Sequence, residues 1–325
     1  MAVRFMRHKI AAATICAAIS MPVHSAEIRV AFAIADDILL APVFAAEQLG
    51  YFRAADIEVR RLNLRGADVV QLALKSGQAD IIDASGPAAA QAFPGGAGGK
   101  IVATAANGFY GWTVIVREQG GAQSMSELAG KQIGISATHS LSDMAAQLTS
   151  ERHRVKFEIV TRGAGAIVPE LRAGTIDAVL SSALLGLREV SASRAHIVLD
   201  LGMDPDAYLV SGFVASTSMI ETRQRDLRAF LNATFQALVQ MKADRKWSLD
   251  LIKEYARISD TAYAERIYDN VIRSMNTDPE TDPASLKAAL ALAARAWNQP
   301  DLAEIDPAPL YTNEFVTIPS GFSGR

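Results

Sequence analysis

The chain holds a single cysteine, Cys16, in 325 residues. That excludes an internal disulfide and any cysteine-built metal site. Histidine is nearly as scarce, and beyond residue 26 only His139, His153 and His196 occur, without the spacing of metal ligands. No metal and no cofactor is expected. Catalytic signatures are also missing: there is no G-x-S-x-G and no H-E-x-x-H. PGGAGGKI has Pro94 where a phosphate loop needs its first glycine and Ile101 where it needs Ser or Thr, and GAGAIV lacks the third glycine of a dinucleotide fingerprint. Ser136, His139 and Asp143 make a nucleophile–base–acid set only on paper, since nothing in the spacing positions them. An enzyme is not expected. Positive charge is not in excess either, with 32 Lys and Arg against 35 Asp and Glu, so nucleic acid and anionic membrane are poor partners.

Long apolar runs are absent except at the start. MAVRFMRHK carries Arg4, Arg7 and Lys9, IAAATICAAISM is uncharged, Pro22 breaks the run, and VHSAE offers small residues. A basic head, a short apolar middle and a small-residue exit describe a secretory signal peptide over residues 1–26, cleaved after Ser25 or Ala26. The run is too short to span a bilayer. Cleavage would remove three cations and no acid, leaving a more acidic chain without a thiol. Nothing further along approaches membrane-spanning length, so an exported protein that is not membrane-embedded is expected.

What remains alternates between strand and helix signals. EIRVAF, IEVRRLN, IIDAS, IVATAA and TVIVRE read as strands, with helical spacing in PVFAAEQLG, ADVVQLALKSG and GPAAAQAF. The pattern restarts with a strand over 132–136, a helix from Leu141, strand VKFEIVT, helix GAIVPELRAG and strand IDAVLSS. Short links between strands and helices indicate an α/β fold whose parallel sheets are covered on both faces. After Glu221 four helical stretches follow without intervening strands, then a loosely patterned tail. One small device occurs twice, 97 positions apart. LKSGQADIIDASG and LRAGTIDAVLSSA each place Gly (Gly77, Gly174) three residues after Leu, Asp (Asp80, Asp177) three further, and a hydroxyl (Ser85, Ser182) past the apolar run. Two lobes, each with its own sheet and joined by strands near 105–115 and 198–212, account for this.

PVFAAEQLGYFRAADIEVRRLNLRGADVVQLALKSGQADI resembles the opening of the nitrate/sulfonate/taurine-type periplasmic substrate-binding proteins of ABC importers, where a helix ending in Gly-Tyr-Phe precedes a strand and a helix ending ALxSGxxD. ELAGKQIGIS is similar to that family's second-lobe start and LYTNEFV to its ending, and the thiamin-pyrimidine-binding relatives look alike. The resemblance implies a two-lobed type II periplasmic-binding-protein fold with a two-stranded hinge and extra C-terminal helices. It divides the chain into lobe 1 (27–108), lobe 2 (109–207) and a return to lobe 1 (208–325). It implies a periplasmic monomer that captures a small organic anion, a sulfonate or carboxylate, and delivers this solute to a permease and its ATPase. An aminopyrimidine-binding protein, an enzyme on the same scaffold, and a sensory ligand-binding protein are the alternatives. The enzymes that make the thiamin pyrimidine use cysteines, which this chain lacks after its leader.

In open α/β sheets ligands gather beyond the carboxyl ends of strands, where helix N-termini favour anions. The loops in question are AIADDI, NLRGAD, ASGPA, SATHSLS, TRGAGA and SSALL. In SATHSLS, Ser140 and Ser142 are expected to cap the helix, while Ser136 and Thr138 either cap or meet ligand and His139 faces ligand or solvent. Ser85 with Gly86, and Ser182, either donate to ligand or start their helices. Arg65 and Arg162 fit a carboxylate or sulfonate as paired donors, or else form surface ion pairs. Asp36 and Asp37 suit an ammonium or amino group, or cap near Leu39. Tyr110 and Tyr208 lie near the hinge, where they stack on a planar ligand or pack in the core.

Overall fold

The computed structural model describes residues 26–33, 37–64, 66–163, 165–204 and 206–316. The predicted signal peptide lies outside them, apart from Ala26. Strands β1 (Ala26–Phe32), β2 (Ile57–Asn63), β3 (Ile81–Ala84) and β4 (Gly99–Ala106) come first, followed by β5 (Thr113–Arg117). Next are β6 (Gln132–Ile135), β7 (Glu158–Thr161), β8 (Ala178–Ser181), β9 (Ala195–Asp200) and β10 (Ser211–Ser216). Among the described residues they build two five-stranded sheets, ordered β2-β1-β3-β10-β4 and β7-β6-β8-β5-β9. Helices α1 (Ala41–Gln48), α2 (Tyr51–Ala54), α3 (Ala67–Lys75) and α4 (Gly86–Ala92) belong to the first lobe. The second carries α5 (Leu141–His153), α6 (Ile167–Ala173) and α7 (Ala183–Ser191). After β10 come α8 (Thr217–Thr222), α9 (Gln224–Ala243), α10 (Arg245–Ala256), α11 (Thr261–Ile267), α12 (Pro283–Ala296) and α13 (Asp301–Glu304). No helix among the described residues is long and apolar enough to cross a membrane.

Local chemistry sets the boundaries. Pro169 sits in the first turn of α6, where its missing N–H is not needed, and Gly174 ends that helix with φ of +76°. Gly77 does the same service past α3 with φ of +71°. Asp282 caps α12 by accepting from Ala284 and Ser285 N–H, with Pro283 at the first helical position.

The repeated device proves to be a strand-start lock. In lobe 1 the Arg29 N–H donates to the Asp80 carboxylate at 2.8 Å, and the Asp80 N–H returns to the Arg29 carbonyl at 2.8 Å. In lobe 2 the Gln132 N–H donates to Asp177 at 2.9 Å, and the Asp177 N–H to the Gln132 carbonyl at 3.0 Å. Each Asp thus pins its own strand to a parallel neighbour, β3 to β1 and β8 to β6, fixing register. Lobe 1 adds charge: Arg29 grips Asp80 through two side-chain nitrogens and Arg223 lies 3.4 Å away.

The sheets are mixed, where parallel sheets were expected. β10 runs against β3 and β4, and β5 runs against β8 and β9. The cause is the double crossing between lobes. The chain leaves the first sheet after Ala106 and enters the second at Thr113, then leaves it after Asp200 and returns at Ser211. A strand that arrives from the edge at which its neighbours end must run opposite to them. The crossings bind one another, Val210 N–H to the Ala106 carbonyl and Tyr208 N–H to Asn107 at 3.0 Å, and Leu201 N–H to Trp112 at 2.9 Å. The edges where the remaining strands end therefore face each other. The C-terminal helices touch both lobes: α12 packs on α4 and α5, and α11 on α7. The Glu151–Arg295 pair at 2.8 Å and the Tyr263 hydroxyl on the Leu184 carbonyl tie these contacts down.

The two locks differ in burial, with the Asp80 side chain 11% exposed and that of Asp177 38% exposed. Asp80→Ala is expected to cost about 2–3 kcal/mol in urea unfolding at pH 7, and Asp177→Ala about 1 kcal/mol. Burial opposes the Asp80 charge, but hydrogen bonds from Arg29 and the charges of Arg29 and Arg223 hold its carboxyl below the usual range. Its contribution is present above the unfolded carboxyl value and fades as pH falls through the native one, so the deficit of Asp80→Ala should shrink in acid.

Candidate functional site

The described parts of the loops singled out above follow the strand ends at the facing edges. In lobe 2, Ser140 caps α5, accepting from the Asp143 N–H, and buried Ser142 accepts from the Ser136 N–H at 3.2 Å. The hydroxyls of Ser136 and Ser140 each lie 2.8 Å from that of Ser142. His139 takes φ of +54°, sends its N–H to Asp143 at 2.9 Å and sets its ring 5.8 Å from Trp297 of the C-terminal region. Asp143 therefore orders the loop backbone and does not meet the imidazole, so the paper triad is not assembled. Thr138 and His139 stand exposed beside it. Ser182 starts α7 in extended conformation but makes no capping bond with its side chain. That leaves a hydroxyl and a helix N-terminus turned to the same edge.

Other predicted residues are engaged. Arg162 is bound by Glu170 at 2.8 Å and by the Thr161 carbonyl at 3.3 Å. Ser85 caps α4 through the Ala88 N–H at 3.4 Å. The Gly86 N–H goes to the Leu209 carbonyl at 3.1 Å, and a Cβ there would stand 2.5 Å from Leu286 Cδ1. This glycine lets the second crossing and α12 close on α4. Tyr110 donates to Asn107 at 3.3 Å and packs against the lobe 1 core. Tyr208 is buried against Phe109, and its hydroxyl meets Arg152, which lines a separate groove of about 310 Å³. Asp37 caps the turn at Leu39, 3.1 Å away, and its carbonyl accepts from the Tyr255 hydroxyl. Asp36 and Arg65 lie outside the described residues.

Asp83, which the sequence reading passed over, completes the lobe 1 edge. It is the penultimate residue of β3, its carboxylate accepts from the Ser211 hydroxyl where β10 begins, and the Asp37 carboxylate is close enough to repel it. Its signal was an acid inside an otherwise apolar strand, IIDA. The electrostatics follow position. Away from the cleft, arginines hold acids charged: Glu189 is buried, yet hydrogen bonds from Arg194 and Arg172 bring it down to about 2. Glu151 is lowered first by its bond from Arg295. At the facing edges, burial raises Asp37, Asp143 and Asp200 against single backbone N–H bonds from Leu39, His139 and Gly202. Burial, then repulsion from Asp37, pushes Asp83 up to about 7. No cluster of three or more His, Cys, Asp or Glu side chains suited to a metal occurs among the described residues.

A family model described as NMT1/THI5 like matches residues 38–246. The chain belongs to the NMT1/THI5-like family. Solved structures agree on the two-lobed periplasmic-binding-protein fold. A Bordetella bronchiseptica RB50 protein is 21% identical, covering 90% of this chain and 96% of that one at a TM-score of 0.68. The alkanesulfonate-binding protein SsuA from Xanthomonas axonopodis pv. citri, bound to MOPS, is 15% identical over 88% of this chain and 98% of its own, with a TM-score of 0.69. The periplasmic aliphatic sulphonate binding protein SsuA from Escherichia coli gives 15%, 88%, 92% and 0.67 in the same order. At these identities the likeness establishes the fold. A search of curated protein sequences found no match. This NMT1/THI5-like chain therefore shares the scaffold on which loops from two sheets meet across a cleft.

A pH effect follows from Asp83. Between about pH 4, its ordinary unfolded value, and about pH 7 the native state holds a proton that the unfolded chain has released. Stability contributed by this group is therefore lost as pH rises through that window. Asp83→Asn should match the wild type in unfolding free energy near pH 4 and exceed it at pH 8 by about 2–4 kcal/mol, measured by urea unfolding. An advantage that does not grow with pH would contradict the raised carboxyl.

Proposed function

We propose that this chain is an exported solute-binding protein that captures a small organic solute between its lobes and presents it to an ABC importer in the periplasm. The observation that carries this is the facing of the two strand-end edges, with polar loops on both sides and a double crossing between them. The lobes would part near residues 108–109 and 207–208. A ligand touching both edges favours the arrangement in which they are close, and a permease can read that state. The matched SsuA structures, whose names speak of sulfonate binding, support an organic anion as one part of the solute. On this chain the anion would lie against lobe 2, where Ser182 and the N-terminus of α7 carry donors without a side-chain cap. Thr138 and His139 would close over it, Ser136 would shape the loop, and Arg65 remains a candidate clamp. Arg162 is the weaker candidate because Glu170 already holds it. Among the described residues no catalytic constellation accompanies the cleft, which favours binding over catalysis.

The protein from Glu27 onward, in a thermal-shift screen against ethanesulfonate, 2-aminoethanesulfonate, benzoate, nitrate and aminopyrimidines, tests this. A ligand at a hundred times its dissociation constant should stabilise the fold by about 2.7 kcal/mol, visible as a raised melting temperature. A folded protein that shifts with none of them would remove the organic-solute reading.

A further inference from the structure

The lobe 1 edge carries an acid that, among the described residues, neither a cation nor a backbone N–H meets, and this deepens the cleft reading on which it rests. Asp83 lies near the end of β3 and Asp37 at the turn Ile38–Leu40 that follows the neighbouring strand β1, and no Lys or Arg pairs with either among the described residues. Away from the cleft edges arginines hold such acids: Asp80, just before β3, has Arg29 and Arg223, Glu189 has Arg172 and Arg194, and Glu151 has Arg295, while Asp143 and Asp200 at the lobe 2 edge each keep a backbone N–H. Asp37 has at least the Leu39 N–H, while among the described residues Asp83 receives only the hydroxyl of Ser211, itself 3% exposed. Ser211 fixes one carboxylate oxygen and leaves the other without a donor in the described contacts. A half-buried carboxylate in that position is costly unless it takes up a proton or something positive arrives.

We propose that Asp83, held in place by Ser211 and seconded by Asp37, is the specificity-determining residue that binds a protonated or amino nitrogen of the solute. The solute would then be bipolar: its nitrogen seated on lobe 1 as a charge-assisted hydrogen bond to Asp83, its anionic or acceptor end on Ser182 and the start of α7. Amino-substituted sulfonates and carboxylates and protonatable aminoheterocycles share this chemistry. Plain alkanesulfonates, aromatic carboxylates and nitrate lack it.

Matched pairs isolate the nitrogen. Calorimetric titration of the full chain from Glu27 would use 2-aminoethanesulfonate against ethanesulfonate and 4-amino-2-methylpyrimidine against 2-methylpyrimidine, repeated with Asp83→Asn and Asp83→Ser. In at least one pair the amino member should bind about tenfold more tightly or better. Both variants should erase that preference while leaving the nitrogen-free sulfonate within about threefold of its wild-type affinity. Asp83→Asn keeps the shape of the side chain and an acceptor for Ser211, and Asp83→Ser guards against a fault peculiar to the amide. Equal binding within both pairs, a preference that survives both substitutions, an equal loss for both members of a pair, or failure of both amino compounds to bind would each overturn the assignment. If ethanesulfonate or benzoate binds while the nitrogen makes no difference, the cleft reading stands and Asp83 falls. If no probe binds at all, both fall.

Discussion

What the cleft can do depends on two short backbone segments, 107–112 and 201–210, being hydrogen-bonded to one another. The bonds from Val210 to Ala106 and from Leu201 to Trp112 hold the two passages side by side at both ends. Because they leave and enter at strand ends, they turn the two sheets edge to edge, and one strand in each sheet must run backwards. Tight packing keeps the passage narrow. At Gly111, where φ is +71°, a Cβ would meet Val271 Cγ2 at 2.6 Å and Ala183 Cβ at 2.7 Å, so the crossing, α7 and the C-terminal helices leave no room for a side chain. Ala183 is the first residue of α7, next to Ser182. The same close approach that defines the hinge also locates the free helix start.

Charge then distinguishes the edges. A buried carboxylate stays ionised where arginines surround it, as at Asp80 and Glu189, and is driven toward its neutral form where only backbone or hydroxyl donors reach it, as at Asp83. The first arrangement locks strands and helices together; the second leaves an acceptor unsatisfied at a surface built to meet something else. Lobe 2 adds donors at Ser182 and the start of α7 beside its own acids, Asp143 and Asp200. Free donors on one side and Asp83 on the other define an orientation for whatever lies between them.

Much of this was legible in the chain. Strand and helix alternation, Gly77 and Gly174 as helix stops, the capping by Ser140, and the loops that gather at the edges all follow from local patterns, because each is decided within a few residues. The meaning of the repeated Asp was only half legible. Its position before a strand was plain, but its partner, the N–H of Arg29 or Gln132, lies 51 or 45 residues away. The backward strands were missed because direction is set by the crossings, which carry no periodicity of their own. Among candidate site residues, the arginines misled: a loop-to-helix position says nothing of whether a glutamate eight residues on will hold the side chain, as Glu170 holds Arg162. Asp83 was overlooked for the opposite reason. It sits inside a strand, and a search for chemistry in loops skips the one polar residue whose side chain must emerge at the strand's end.

The C-terminal helices bear on how much work a ligand has to do. α12 lies against α5 and α11 against α7, so two helices that follow lobe 2 loops are both seated on the C-terminal helices. The seats are partly apolar, with Met144, Leu148, Leu286 and Leu290 in one hydrophobic cluster, and partly polar, through Glu151–Arg295 and Tyr263. With the lobes already brought together by protein contacts, a ligand needs to supply only the difference in free energy between near and separated lobes. The stronger those seats, the less the closeness of the lobes depends on a ligand. Exposed ion pairs contribute little each, so a seat that relies partly on Glu151–Arg295, whose arginine side chain is 50% exposed, is one that can be released. The balance between apolar seat and exposed pair therefore sets whether the closed arrangement reports the ligand or merely the fold.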